Sequence, residues 1–318
     1  MTVHLITVGL TLASSARRDE AALFGATDNE DLLALLPESS AAFLPESDVA
    51  GARRLLAGGL TSGTPEAAAL REAVVTVCPD RWSSRASAEL TTAARASDPD
   101  AVELPAVARA HPDDLVVLVT SDTVPGMHAG LWNALALTGG ELDRVRYLDR
   151  PDTDSTKEPG RGTVVIAPIP GLDTAGPQGF AEAMRHLGRM GRFLIETLAG
   201  PGEHYAFHLS GGYKATLPYL VGLAEGMLGL RERGEVASVR AGLQHEAAPD
   251  RLIPLPLRDL PERVLRHELK HAVPDDRGGF ILAEAPAAER LLEGYAYELH
   301  GKQWRLTPFG EGLLALIS

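Results

Sequence analysis

Residues 207–224 read FHLSGGYKATLPYLVGLA: an apolar run, two glycines, a lysine and then helical spacing. If 204–209 is a strand and 214–230 a helix, Gly211 and Gly212 form the turn at the strand's carboxyl end. Open α/β sheets bind ligands at that end. Glycine lets backbone N–H groups approach an anion, the helix amino terminus adds unpaired donors, and Lys214 adds a full positive charge. The combination fits a phosphate; the competing reading is an ordinary turn with a solvated lysine. Two other strand ends carry small polar groups: Thr7, Gly9 and Thr11 in TVGLTLAS, and Ser121, Asp122 and Thr123 in LVTSDTVPG. Three such ends could converge on one crevice, although Ser, Asp and Thr are also ordinary helix N-caps.

A second set of reactive residue types lies near the end of the chain. VLRHELKHAV contains H-E-x-x-H at 267–271. On a helix this spacing puts His267 and His271 on one face as zinc ligands, with Glu268 as base and Glu289 or Glu293 as third ligand. Lys270 stands where such helices usually carry no charge, and the competing reading is a structural helix.

The elements that must position these residues alternate. Candidate strands are 3–9, 115–120, 144–148, 163–169, 204–209 and 236–240, and candidate helices are 65–77 (opened by Thr64 and Pro65), 84–96, 126–138, 178–199 and 214–230. Nearly continuous apolar strands alternating with helices predict a Rossmann-like, doubly wound and mainly parallel α/β sheet. Residues 25–63 read as a helical insertion and 150–162 as an exposed loop. From 259 the pattern changes to helix, a second helix near 286–293, a hairpin around His300-Gly301 and a closing helix, PFGEGLLALI. This predicts a small winged-helix-like α+β domain at 259–318 after a first domain at 1–258, with a proline-marked connection around 250–260.

Bulk properties limit the partners. The 318 residues carry a formal net charge of −13, which disfavours duplex DNA and anionic lipid. No apolar run reaches the ~20 residues of a membrane span, and β-branched residues make the first apolar run a strand rather than a signal peptide. The one cysteine, Cys78, suits a reducing cytoplasm.

Together TVGLTLAS, SAEL at 87–90, LVTSDTVPG and HLSGGYKATLPYL resemble the CRISPR-associated Rossmann-fold (CARF) proteins, in particular the group that includes the ring nucleases. The resemblance spans roughly residues 1–258. It implies a homodimer that binds cyclic oligoadenylate, usually the tetra-adenylate, across a two-fold axis. It also implies cleavage without metal: a ribose 2′-OH attacks the adjacent phosphate and leaves a 2′,3′-cyclic phosphate. The family's functional lysine falls on Lys214 and its first-strand hydroxyl, commonly serine, on Thr11. Ligand contacts would come from Gly9, Leu10, Ser14 and Arg17 after the first strand, from Ser121, Asp122 and Thr123 after the second, and from Ser210, Gly211, Gly212 and Tyr213 in the glycine loop. Since the substrate brings its own nucleophile, the protein need only align the 2′-OH and stabilise charge on the phosphate, with no general base and no cofactor. Two alternatives stay open: a ligand-controlled regulator using the winged helix, or a ligand-activated hydrolase using zinc at His267, His271 and Glu289 with Glu268 as base.

Overall fold

Apolar runs with little alternation must be covered on both faces, and the chain folds accordingly. The computed structural model describes residues 1–9, 11, 12, 15, 21–25, 53, 56, 63–97, 103–148, 161–172, 176–211, 216–245, 248–276, 278–286 and 289–318. Its strands are β1 (Thr2–Thr7), β2 (Leu115–Ser121), β3 (Val145–Tyr147), β4 (Val164–Ile169), β5 (Glu203–His208), β6 (Val236–His245) and β7 (Ala248–Leu255). They form one sheet in the order β3-β4-β2-β1-β5-β6-β7, parallel throughout except for β7, which runs antiparallel to β6. Helices α1 (Pro65–Val77), α2 (Ala88–Ser97) and α3 (Val124–Thr138) cover one face. Helices α4 (Pro177–Phe193), which runs on through a π turn at Leu194–Leu198, and α5 (Leu217–Gly229) cover the other. The doubly wound architecture expected from the alternation is therefore present.

Four boundaries differ informatively. Helix α2 begins at Ala88 rather than 84, because the Ser87 hydroxyl caps it, accepting the Leu90 N–H at 3.0 Å. Helix α5 begins at Leu217 rather than 214. Strand β6 continues to His245, and half of the expected connection at 250–260 is strand β7. Proline runs argue against central strands, but β7 is an edge strand, where Pro254 opposite Gly242 is tolerated. The expected insertion at 25–63 and loop at 150–162 fall almost wholly outside the described residues. Among the described residues, no helix is long and apolar enough to cross a membrane.

The C-terminal unit is α+β, comprising α6 (Glu262–Leu269), β8 (Ala272–Pro274), β9 (Phe280–Leu282), β10 (Tyr297–His300), β11 (Gln303–Leu306) and α7 (Pro308–Ile317). Its strands make an antiparallel sheet in the order β10-β11-β9-β8. The hairpin around His300-Gly301 and the closing helix stand as expected. The second helix expected near 286–293 does not form over 289–293, which make turns and an isolated bridge from Glu293 to Tyr297. The buried Glu268 carboxylate takes the N–H groups of Leu291 and Leu292 at 2.8 and 2.9 Å, and Arg290 has φ 45°, outside the helical region.

Helix α7 lies mainly on α4 and also on α5, so one apolar cluster runs from the main sheet into the C-terminal unit. The approach is close because glycine faces glycine: a Cβ at Gly188 of α4 would overlap the Gly312 carbonyl oxygen of α7 and lie 3.0 Å from the Ala315 Cβ. Gly188→Ala is therefore expected to lower stability to urea by about 1–3 kcal/mol, the usual scale of overpacking. An unchanged midpoint would show that α7 does not seat there.

Candidate functional site

The strand order places the topological switch point at β1. From β1 the chain moves to β2 on one side and later returns to β5 on the other, so the crevice of an open sheet opens at the carboxyl ends of β1 and β5. The residues there are Gly9, Thr11, Ser210 and Gly211, four of those expected from sequence.

What draws them together is a residue with no assigned role in the sequence reading, Glu89. It occupies the first turn of α2, with a carboxylate that is 0 % exposed. One carboxylate oxygen accepts the Gly9 N–H at 2.8 Å and the other the Thr11 hydroxyl at 2.6 Å. Gly211 lies against the same carboxylate: a Cβ there would sit 2.5 Å from Glu89 Oε1 and overlap the Thr7 carbonyl. Glycine at 211 is thus required by close approach. The Thr7 hydroxyl secures the same loop from beneath, donating to the Gly211 carbonyl at 2.6 Å. Helix α2 is anchored in turn, because the Ser87 hydroxyl donates to Asn133 of α3 at 2.8 Å.

These bonds decide what each hydroxyl can offer a ligand. Ser210 accepts the Gln244 N–H at 2.7 Å and keeps its own proton to donate, which suits a phosphate oxygen. Thr11 gives its proton to Glu89, accepts the Ala88 N–H at 3.4 Å and keeps one lone pair, which suits a ribose hydroxyl. Burial holds the Glu89 carboxyl above its ordinary range, against the opposing pull of the hydrogen bonds it accepts from Thr11 and Gly9.

The end of β2 plays a different part. Thr123 caps α3, accepting the Gly126 N–H at 3.2 Å, and is bonded to Ser121 at 2.8 Å. Both hydroxyls therefore serve the helix start, the competing reading of those residue types. Asp122 is paired with Arg53 at 2.8 Å, which brings a cation from the 25–63 segment to the rim of the crevice. Leu10, Ser14, Arg17, Gly212, Tyr213 and Lys214 lie outside the described residues.

The zinc set does not assemble. Helix α6 ends at Leu269, so His271 is not on the helix that carries His267. Glu268 is buried with its carboxylate bonded to the Leu291 and Leu292 amides and to the Tyr297 hydroxyl, which donates at 2.6 Å. His267 and His271 line a cavity of about 120 Å³ with Lys270 and Glu284, and Glu289 is not part of its wall. Among the described residues no three His, Cys, Asp or Glu side chains form a group that could hold a metal ion. A larger cavity of about 430 Å³, between α4 and α7, is lined by Arg185, Arg189 and Arg192. Arg185 is paired with Glu311, and Arg192 with Glu196 and Glu235, so these charges are already compensated.

No family model matches this chain, and no curated protein matches it.

Two expectations follow from the buried carboxylates. Glu89 binds its proton more tightly in the folded than in the unfolded chain, so folding stability must fall as pH rises from about the unfolded value of 4.5 through the higher folded one. Urea unfolding at several pH values should show Glu89→Gln gaining on the parent across that window and holding the gain above it; a pH-independent difference would exclude an elevated carboxyl. Glu268→Gln turns an amide donor toward a backbone N–H and should cost about 1–3 kcal/mol of stability. Elemental analysis should find no stoichiometric zinc in the parent, and zinc lost in His271→Ala would reverse the structural assignment of Glu268.

Proposed function

We propose that the chain is a CARF-type receptor that binds a cyclic oligoadenylate, the tetra-adenylate in the first instance, and cleaves it as a metal-independent ring nuclease. The observation that carries the reading is the meeting of Gly9, Thr11 and Gly211 around Glu89 at the β1–β5 crevice. The motifs that resemble the family, TVGLTLAS, SAEL and SGGYK, are far apart in sequence, yet their described residues converge on one carboxylate. A shared tight turn would not require the SAEL helix to reach the first strand.

In this reading a donor at Ser210 and the ammonium of Lys214 face the ring phosphates, while Thr11 receives a ribose hydroxyl. Attack of the 2′-oxygen on its own 3′-phosphate expels the 5′-oxygen of the next nucleotide. Charge stabilisation and alignment supply most of the acceleration, so no metal is needed. A ring with rotational symmetry and one SGGYK loop per chain call for two chains about a two-fold axis. The regulator alternative loses support because 289–293, within the recognition helix expected near 286–293, are not helical. The hydrolase alternative loses it because, among the described residues, no three His, Cys, Asp or Glu side chains form a group that could hold a metal.

The test is incubation with cyclic tetra- and hexa-adenylate in EDTA, followed by mass spectrometry of the products. Linear products ending in a 2′,3′-cyclic phosphate are expected. Lys214→Ala should slow single-turnover cleavage by about 10²-fold or more, the scale of losing one preorganised charge-stabilising donor. If that variant binds and cuts like the parent, the glycine loop is only a turn and the assignment fails. Ligand bound and returned intact would make the protein a sensor rather than a nuclease.

A further inference from the structure

Resting on that reading, one step still lacks a group: the attacking 2′-hydroxyl must lose a proton. Three titratable side chains stand near the crevice among the described residues. Asp122 is engaged with Arg53. His208 lies beneath the sheet surface, 3 % exposed, with one ring nitrogen against His4 at 3.0 Å. Glu89 is the third. It is closed to solvent, and its two hydrogen-bonded neighbours in the crevice are the Gly9 amide and the Thr11 hydroxyl. An amide N–H cannot pass a proton on, whereas a hydroxyl can accept one on a lone pair while releasing its own. Thr11 is half-buried, and its oxygen donates to Glu89 and accepts the Ala88 N–H at 3.4 Å, which leaves one lone pair for a further partner.

We infer that Glu89 is the proton acceptor of the cleavage reaction, acting through Thr11 without touching the ligand. As the 2′-O–H bond breaks, its proton passes to Thr11 Oγ1 and the original Thr11 proton passes to Glu89 Oε2. The O2′–P bond forms, the P–O5′ bond breaks, and the departing 5′-oxygen takes a proton from water. Glu89 returns its proton to solvent through Thr11 once the product has left, so the turnover is balanced with no redox partner. This gives the Thr11 hydroxyl a reason to be spent on a buried carboxylate. No charged side chain among the described residues perturbs Glu89; the groups around it are the hydroxyls of Thr11 and Ser87 and the amides of Gly9 and Glu89 itself, while burial raises its carboxyl above its ordinary value. Arg240 and His4 act on His208, one strand away.

The decisive measurement is the pH–rate profile of single-turnover cleavage of cyclic tetra-adenylate. In the parent the rate should rise about tenfold per pH unit at the acid end and then level off. Glu89→Gln should be slower by about 10²-fold, the scale of general-base catalysis, and should lack that acid limb while still binding the ring. Thr11→Val leaves Glu89 in place, and should show the same loss. The double variant should be no slower than either single one, because both cut the same relay. Thr11→Ser keeps the hydroxyl and should keep the limb. A Glu89→Gln enzyme with the parent's acid limb, or a Thr11→Val enzyme at the parent's rate, overturns the relay. If either occurs while Lys214→Ala remains slow, the ring-nuclease reading survives and the relay alone falls. A parent that cuts neither ring removes both.

Discussion

The Glu89 carboxylate is the constraint on which the crevice depends. Burying an ionisable group costs several kcal/mol unless hydrogen bonds compensate it. The compensation here comes from two residues of the first strand's end, Gly9 and Thr11, while a third element, the β5 loop, closes over it at Gly211. Strand, helix and loop are thereby fixed relative to one another by one side chain. Displacing any of them would leave a buried oxygen unpaired or expose it. The glycine at 211 is a consequence of this arrangement, because any side chain would occupy the space of the carboxylate.

Polar contacts tie β1 to both of its neighbours. Asp114 accepts the Thr2 N–H at 2.8 Å and lies 3.3 Å from His4 Nε2, while His4 Nδ1 lies 3.0 Å from His208 Nε2. Asp114 is held below its ordinary range with His4 as a hydrogen-bonding partner, despite the opposing effect of burial. If His4 gives its Nε2 proton to Asp114, its Nδ1 must accept, and His208 must donate from Nε2. The remaining His208 nitrogen, buried without a partner, is then the unprotonated one, which costs less than an unpaired N–H. Burial holds His208 well below its ordinary range, which agrees with a neutral ring. The His4–His208 contact thus ties together β1 and β5, the two strands whose ends form the site.

Much of the fold was legible because the main strands are apolar on both faces and the helices carry clear start signals such as Thr64-Pro65. Strand β7 was hidden by its prolines, which forbid a central strand and permit an edge one. The failure of 289–293 to join the helix expected near 286–293 was hidden for the opposite reason. Its local sequence, AERLLE, suits a helix, but a buried carboxylate 23 residues away at Glu268 captures the amide of Leu291 and forces a turn. H-E-x-x-H likewise promised zinc from spacing alone, whereas α6 ends at Leu269 before His271 and the Glu268 carboxylate is taken up by the Leu291 and Leu292 amides. At the crevice, Gly9, Thr11, Ser210 and Gly211 could be found from strand ends. Glu89 could not, because an acidic residue in a first helical turn is ordinary and only tertiary packing shows it to be buried. Arg53 was invisible within a segment read only as an insertion.

An acidic chain that receives a polyanionic ring has to create its attraction locally. With a net charge of −13, the general field of the protein repels phosphate. Under the proposed reading, a two-fold pair shares the four phosphates of a tetra-adenylate, two to each chain, so each crevice needs only a few oriented donors. Ser210 supplies one as a hydroxyl whose lone pair is already occupied, and Lys214 supplies a charge. The carboxylate of Glu89 would work against them if it were exposed, since it would repel the phosphate it stands near. Burial works against that repulsion by favouring the neutral carboxyl, which is held above its ordinary value. The same enclosure that makes the carboxylate costly to fold around is what makes it compatible with an anionic ligand.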